Sequence, residues 1–268
     1  MVELHKDAIE IKRNIVRMCH GAKASHVGSG LSCSEILAVL YLGKVLKIDT
    51  QKPDWEGRDF FILSKGHASA ALYATLAQAG FFPVSELDSY YMDGSRMPGH
   101  PVRGCMPGVE VSTGSLGHGL GLGAGMAMAF KLDKKLNRVF VLMSDGELDE
   151  GSVWEAVLFA GAKTFDNLIA IIDYNKLQSF GRVNEVLDLE PLEDKFRSFG
   201  WEVRRVDGNS IASLQELFAS GFLSAAKPKV VIADTIKGHG VSFMQDRLEW
   251  HYKHTSDSEY SKAMEELK

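Results

Sequence analysis

Residues 138–147 read RVFVLMSDGE, and residues 168–176 read LIAIIDYNK. In each, a run of five or six apolar residues with no polar alternation ends abruptly in Asp, Asn or Gly. Apolar runs of that length predict strands buried on both faces, the pattern of a parallel sheet covered by helices. The same reading extends outward. Phe60–Leu63, Trp201–Val206 and Lys229–Thr235 are further strand candidates. Between them lie helical patterns: Leu4, Ala8, Ile11, Ile15 and Met18 at helical spacing over 3–20, an Ala-rich segment to Ala79, Gly151–Lys163, Pro191–Phe199 with Pro near its first turn, and Ile211–Ala225. Ser32 followed by Glu35 reads as a capping box opening a helix to about Leu46. Alternating strands and helices imply an α/β fold: a doubly wound, mainly parallel sheet with helices on both faces, over residues 1–268 as one domain. Ligands of such sheets bind beyond the carboxyl ends of the strands.

Those ends carry Ser64-Lys65-Gly66-His67, Ser144-Asp145-Gly146-Glu147, Asp173-Tyr174-Asn175-Lys176, Asp207-Gly208-Asn209 and Ile236-Lys237-Gly238-His239-Gly240. A polar loop is ordinary; five in succession bearing Asp, Asn, Lys or His point to chemistry. Asp145 and Asn175 close two consecutive strands and offer hard oxygens to a divalent cation such as Mg²⁺, which shares its coordination with phosphate oxygens. The Asp145-Gly146 turn admits a diphosphate, and a helix opening near Gly151 adds its dipole. Singly, Asp145 reads as a helix cap and Asn175 as a turn residue. As a pair they favour metal–diphosphate binding.

Six histidines, His26, His67, His100, His118, His239 and His251, mostly lie beside Gly or Pro. No HExxH or paired-Cys spacing favours zinc. Histidines rooted on one sheet edge suit an anionic, oxygen-rich substrate such as a sugar phosphate; each alone reads as a turn residue. The run from Gly117 to Gly125 contains GxGxxA at Gly119, Gly121 and Ala124, with Asp145 at about the right distance for a dinucleotide fingerprint. Val109–Ser112 is a poor preceding strand, and Met126–Phe130 continues apolar on all sides. A buried helix with closely packed glycines is the favoured reading, and NAD binding the minor alternative.

The formal net charge is −5, with 30 Lys+Arg against 35 Asp+Glu, which argues against nucleic acid as a partner. No apolar run approaches the ~20 residues of a membrane span. A charged N-terminus (Glu3, Lys6, Asp7, Glu10) is unlike a signal peptide. Three scattered cysteines, Cys19, Cys33 and Cys105, suit reduced thiols in the cytoplasm.

Taken together, ASHVGSGLS (24–32), LSKGHASAALYA (63–74), PGHP (98–101), STGSLGHGLG (112–121), SDGELDEGSVWEA (144–156), NLIAIIDYNKLQSFG (167–181) and TIKGHG…EWHYK (235–253) resemble the N-terminal half of transketolase, a thiamine diphosphate enzyme. The resemblance implies that Asp145, Asn175 and the Leu177 carbonyl hold the Mg²⁺ (or Ca²⁺) of the cofactor diphosphate. It places His67, Gly146 and His251 around the diphosphate and the reacting centre, Gly114 and Leu116 at the thiamine end, and Lys237 near cofactor and substrate. It assigns His26, His100 and His251 to sugar binding and proton transfer, and Glu150 and Glu155 to the subunit contact that couples two active sites. Ser144, Tyr174 and His118 depart from the usual residues, as does the VGSG after His26. The family binds its cofactor between two domains. The resemblance therefore implies a separate C-terminal subunit supplying the activating glutamate, in a heterotetramer of two of each, moving a two-carbon ketol unit between sugars or sugar phosphates. Alternatives are the α subunit of a 2-oxo acid dehydrogenase, a deoxyxylulose-phosphate-type synthase, and a non-catalytic homologue.

Overall fold

The computed structural model describes residues 2–268. Its elements run α1 (Val2–Gly21), α2 (Val27–Ser32), α3 (Ser34–Tyr41), β1 (Phe60–Leu63), α4 (Ser69–Gln78), α5 (Gly119–Leu132), β2 (Val139–Ser144), α6 (Gly151–Ala162), β3 (Leu168–Tyr174), α7 (Val183–Val186), α8 (Leu192–Ser198), β4 (Glu202–Asp207), α9 (Ile211–Ala219), β5 (Lys229–Asp234) and α10 (Asp257–Glu266), with short 3₁₀ turns between. All strand pairs are parallel, in the order β1-β2-β3-β5-β4.

The period of two along each strand divides the sheet between two cores. Phe61, Leu63, Phe140, Leu142, Ile169, Ile171, Val231 and Ala233 face α1, α3, α4 and α9. Ile62, Val139, Val141, Met143, Leu168, Ala170, Ile172 and Ile232 face α5, α6 and α8. β2 and β3 are buried at every position, which is why their sequences do not alternate. The edge strand β4 departs from the expected apolar run: Arg204 is exposed and Arg205 pairs with Asp234.

Four local expectations are corrected. Ser32 and Glu35 form no capping box. The N-cap of α3 is Cys33 with no side-chain bond, Ser32 Oγ donates to Asp173, and Glu35 is held by Lys12 and His239. Burial of both residues turns their polar groups to tertiary partners. That helix ends at Tyr41, not Leu46. The helix from Ile211 stops at Ala219, because Gly221 takes a positive φ of 82°. Finally, α5 is apolar but not wholly buried: Leu122, Met128 and Leu132 are exposed. Its glycines divide accordingly. A Cβ on Gly119 would strike Ser64 and one on Gly123 would meet Val141 at 2.6 Å, whereas Gly121 and Gly125 have nothing within 4 Å. No strand directly precedes it among the described residues.

In α6, a Cβ on Gly161 would strike the carbonyl oxygen of Phe199, a backbone atom that cannot rotate away. Gly161→Ala is expected to destabilise the chain by about 1–3 kcal/mol. Gly121→Ala, on an open helix face, is expected to stabilise it by about 0.5–1 kcal/mol. Urea unfolding of both variants checks the contrast.

Candidate active site

A cavity of about 390 Å³ opens at the carboxyl ends of β1, β2, β3 and β5. Among its lining residues are His26, His67, Gly114, Leu116, Asp145, Gly146, Glu150, Asn175, Leu177, Lys237 and His251. Behind its lining residues Ser29 and Asp145 lies a buried ion pair. Lys65 follows β1 and Asp173 lies in β3; both are fully buried, and they pair directly. Ser32 Oγ and Thr235 Oγ1 also donate to Asp173, and Lys65 Nζ donates to the Ser29 carbonyl at 3.1 Å. Burial alone would favour a neutral Lys65, but the neighbouring Asp173 outweighs it and the ammonium is retained.

Asp145 sits beside this pair. Its Oδ1 accepts from Gly146 N at 2.7 Å, and its Oδ2 from Lys176 N at 2.6 Å. Burial, then the nearby Asp173 charge, push its carboxyl from 3.8 up to about 6. Asn175 Oδ1 accepts from Leu177 N at 3.1 Å. The loop that follows is closed by Gln178 N to Gly181 O (2.8 Å) and Val183 N to Lys176 O (3.1 Å), which fixes the Leu177 carbonyl. Asp145 thus caps the short turn at Gly146–Asp149 rather than the helix from Gly151, whose N-cap is Glu150; Asn175 turns its own loop, and both line the shared cavity.

Among the described residues no three His, Cys, Asp or Glu side chains gather as a metal site. A cation here would rest instead on mixed oxygens: the Asp145 carboxylate, the Asn175 amide and the Leu177 carbonyl, each with a second lone pair. Such hard donors suit Mg²⁺ or Ca²⁺. The residues fit that group, since a carboxylate with a raised pKa gains from a cation and the cavity-lining Asp149 Oδ1 is buried without a partner.

The histidine expectation resolves into two sets. The ring of His26 lies 5.3 Å from His67, 6.1 Å from His100 and 5.0 Å from His251, centroid to centroid. Burial, then the charges of neighbouring groups, including Lys237 and Lys65, lower His26 to about 4 and His251 to about 3; His67 lies well below its usual range. His100, exposed at the rim, is also lowered by burial of its ring. All four are neutral at pH 7. His26 takes a left-handed φ of 69°, and its Nδ1 lies 3.0 Å from Ser25 Oγ. Lys237 Nζ donates to Leu177 O at 2.9 Å and lies 2.8 Å from His251 Nδ1; burial lowers it to about 8. His118 is exposed, and His239 turns to the opposite side of its loop, onto Glu35. Glu155 stands exposed on α6 outside the cavity wall, on the same helix face as exposed Leu158 and Phe159.

Several site residues escaped sequence reading. Glu147, fully buried, accepts from Ser64 Oγ and from Gly117 N (2.9 Å), tying the 114–117 segment to β1. Ser29, Asp149, Gln178, Ser179 and Phe180 also line the cavity. Lys65 and Asp173 did leave a signal, as charges closing apolar runs, but no pattern in the sequence pairs them.

Residues 5–267 match the family described as transketolase, thiamine diphosphate binding domain. The chain belongs to this family. It is 39% identical over 266 residues to a 6-deoxy-6-sulfo-D-fructose transketolase subunit of Clostridium sp. (strain MSTE9), covering 99% of this chain and 96% of that protein. It is 44% identical to one of the subunits of the apulose-4-phosphate transketolase of Actinobacillus succinogenes, again with 99% and 96% covered. Human transketolase is 38% identical over 93% of this chain, but the match spans only 40% of its length. The crystal structure of transketolase from Campylobacter jejuni superposes with a TM-score of 0.93 at 29% identity, covering 100% of this chain and 43% of that one. The family's fold is thus the doubly wound sheet observed here, and no helix among the described residues is long and apolar enough to cross a membrane.

The raised Asp145 pKa makes a signed prediction. Because the folded value lies above the unfolded one, the protonated carboxyl adds stability below about pH 4 that is lost as pH rises through about 6. Asp145→Asn is expected to leave cofactor-free stability unchanged near pH 4. At pH 7.5 it should raise stability by on the order of 1 kcal/mol, less than the full shift because the amide keeps one acceptor for two N–H donors. Urea midpoints at the two pH values check it.

Proposed function

We propose that this chain is the N-terminal subunit of a thiamine diphosphate- and Mg²⁺-dependent transketolase, moving a two-carbon ketol unit from a ketose to an aldose. A separate C-terminal chain would complete the cofactor site. One observation carries the reading. A cavity joins the Asp145–Asn175–Leu177 oxygens to a cluster of neutral histidines, in a chain matching 96% of the length of relatives named as subunits but 40% of human transketolase.

Asp145, Asn175 and the Leu177 carbonyl would hold Mg²⁺ (or Ca²⁺) against the diphosphate, beside Gly146 and His67. Gly114 and Leu116 would line the thiamine end. Bound thiamine diphosphate supplies a nucleophilic carbon for the ketose carbonyl; the chain's own groups do the rest. His26, His100 and His251 converge within one ring-to-ring layer, and as neutral imidazoles each can accept a hydroxyl proton at one nitrogen while donating from the other. His251 is the exception: Lys237 Nζ donates to its Nδ1, so its Nε2 carries the proton and meets substrate as a donor. The substrates are polyol sugars or sugar phosphates, as the names of the relatives suggest. Glu150 lies at the cavity edge, and Glu155 lies on the exposed face of α6. With exposed Leu158 and Phe159, and Leu122 and Met128 on α5, they would meet a neighbouring subunit in an assembly of two chains of each kind, in the cytoplasm.

Purified chain alone is expected to show no ketol transfer, and turnover should appear when a C-terminal transketolase half is added with thiamine diphosphate and Mg²⁺. Transfer by the chain alone, or consumption of pyruvate without ketose, would overturn the reading. In the complex, Asp145→Ala should weaken cofactor binding by at least about 100-fold, the upper range for groups that orient a metal site, measured by calorimetric titration.

A further inference from the structure

Two neighbours in one loop point opposite ways. Lys237 reaches into the cavity, while His239 reaches into the layer of α1 and α3, onto a cluster that the site does not use. There Glu35 is 4% exposed and Lys12 is 3% exposed, and the two pair directly. His239 Nδ1 lies 3.1 Å from Glu35 Oε1 and 2.8 Å from Lys12 Nζ. The other carboxylate oxygen, Oε2, accepts from Asn209 Nδ2 at 3.3 Å. Asn209 in turn uses its Oδ1 to accept from Ile236 N at 2.8 Å. Both flanks of Lys237 are therefore tied to one buried ion pair, the preceding residue through Asn209 on Glu35 and the following turn through His239, whose Nδ1 sits against both Glu35 Oε1 and Lys12 Nζ.

The backbone is built for this reversal. Gly238 and Gly240, on either side of His239, have φ of +78° and +96°. A Cβ on Gly238 would strike the Met244 carbonyl, and one on Gly240 would meet Lys12 Nζ at 3.2 Å. Gly238 N donates to Gly28 O at 3.0 Å, and Asp246 N to Lys237 O at 2.9 Å. The loop backbone is thus packed closely against Met244, Lys12 and Gly28.

We infer that Glu35 is a positioning residue for Lys237, acting through His239 and Asn209, with Lys12 as its counter-charge. A buried carboxylate is a stiff anchor: its negative charge is held by a cation that cannot leave, and its remaining lone pairs accept only from the two groups that flank the loop. The consequence for turnover rests on the reading under Proposed function; the anchoring of the loop does not.

The test uses the full chain with its C-terminal partner. Hydrogen exchange is read by mass spectrometry on peptides spanning 235–246, alongside ketol transfer. His239→Leu keeps the ring's approximate volume but removes its polar contact. It is expected to speed exchange at the Ile236 and Gly238 amides about tenfold, the size of one hydrogen bond to a charged group, and to lower kcat by a similar factor with KM little changed. His239→Gln restores a donor to Glu35 and is expected to return both readouts to within about twofold of wild type. Lys12→Met with Glu35→Leu replaces the buried pair by apolar groups, which such sites tolerate, and should loosen the loop as His239→Leu does. Wild-type exchange in either loosening variant, or a Gln variant as loose as the Leu variant, would overturn the inference. A wild-type complex without ketol transfer but with this exchange pattern would remove the proposed function and leave the anchor standing.

Discussion

The candidate site depends on Lys65 meeting Asp173 across the intervening strand β2. A parallel sheet collects the carboxyl ends of its strands on one edge, and here that edge gathers Asp145, Asp173 and Glu147 with little water between them. Like charges so close would repel, and each pays a desolvation cost of several kcal/mol. One ammonium, fully buried and anchored also by the Ser29 carbonyl, pairs directly with Asp173. Asp145, next to the pair rather than in it, remains undersatisfied, with a pKa near 6. The buried charge balance thus leaves one carboxylate with no cation as a direct partner, the place the proposed Mg²⁺ would take.

The same balance governs the histidines. Two buried lysines, Lys65 and Lys237, stand behind His26, His67 and His251, and their charge adds to burial in holding the rings neutral. Neutral rings both accept and donate protons at pH 7, whereas protonated ones would only donate. A cavity lined this way offers both donors and acceptors without becoming strongly cationic itself. The lysines are in turn placed by the elements that carry them, Lys65 at the end of β1 and Lys237 in a loop pinned by glycine backbone and by Glu35.

Much of this was legible in the sequence because local patterns suffice for it. Uninterrupted apolar runs marked β2 and β3 as doubly covered strands, and the residues that stop those runs marked the ligand edge. The motif set then fitted the transketolase family from end to end. The misreadings share one cause. Ser32 and Glu35 have the spacing of a capping box, yet both are buried where tertiary partners compete successfully for their hydrogen bonds. The apolar α5 read as buried, yet its second face is open, because composition reports how apolar a helix is and not how many of its sides are covered.

The sequence by itself determined the strands, their order along the chain and the fold class, because side-chain period and strand-end chemistry are local properties, and with the family resemblance it named most of the residues that line the cavity. Only the tertiary structure decided which charges pair. Lys65 with Asp173, Glu147 with Ser64 and Gly117, and Glu35 with Lys12, His239 and Asn209 are contacts between residues 23 to 204 positions apart. The tertiary structure also gathered the rings of His26, His67, His100 and His251 and turned His239 onto Glu35, a division that the family resemblance alone had implied. Position in a parallel sheet is set by strand order, β1-β2-β3-β5-β4, and no local pattern encodes which neighbour a strand end will meet. The energy of a buried charge depends on that neighbour more than on the residue itself.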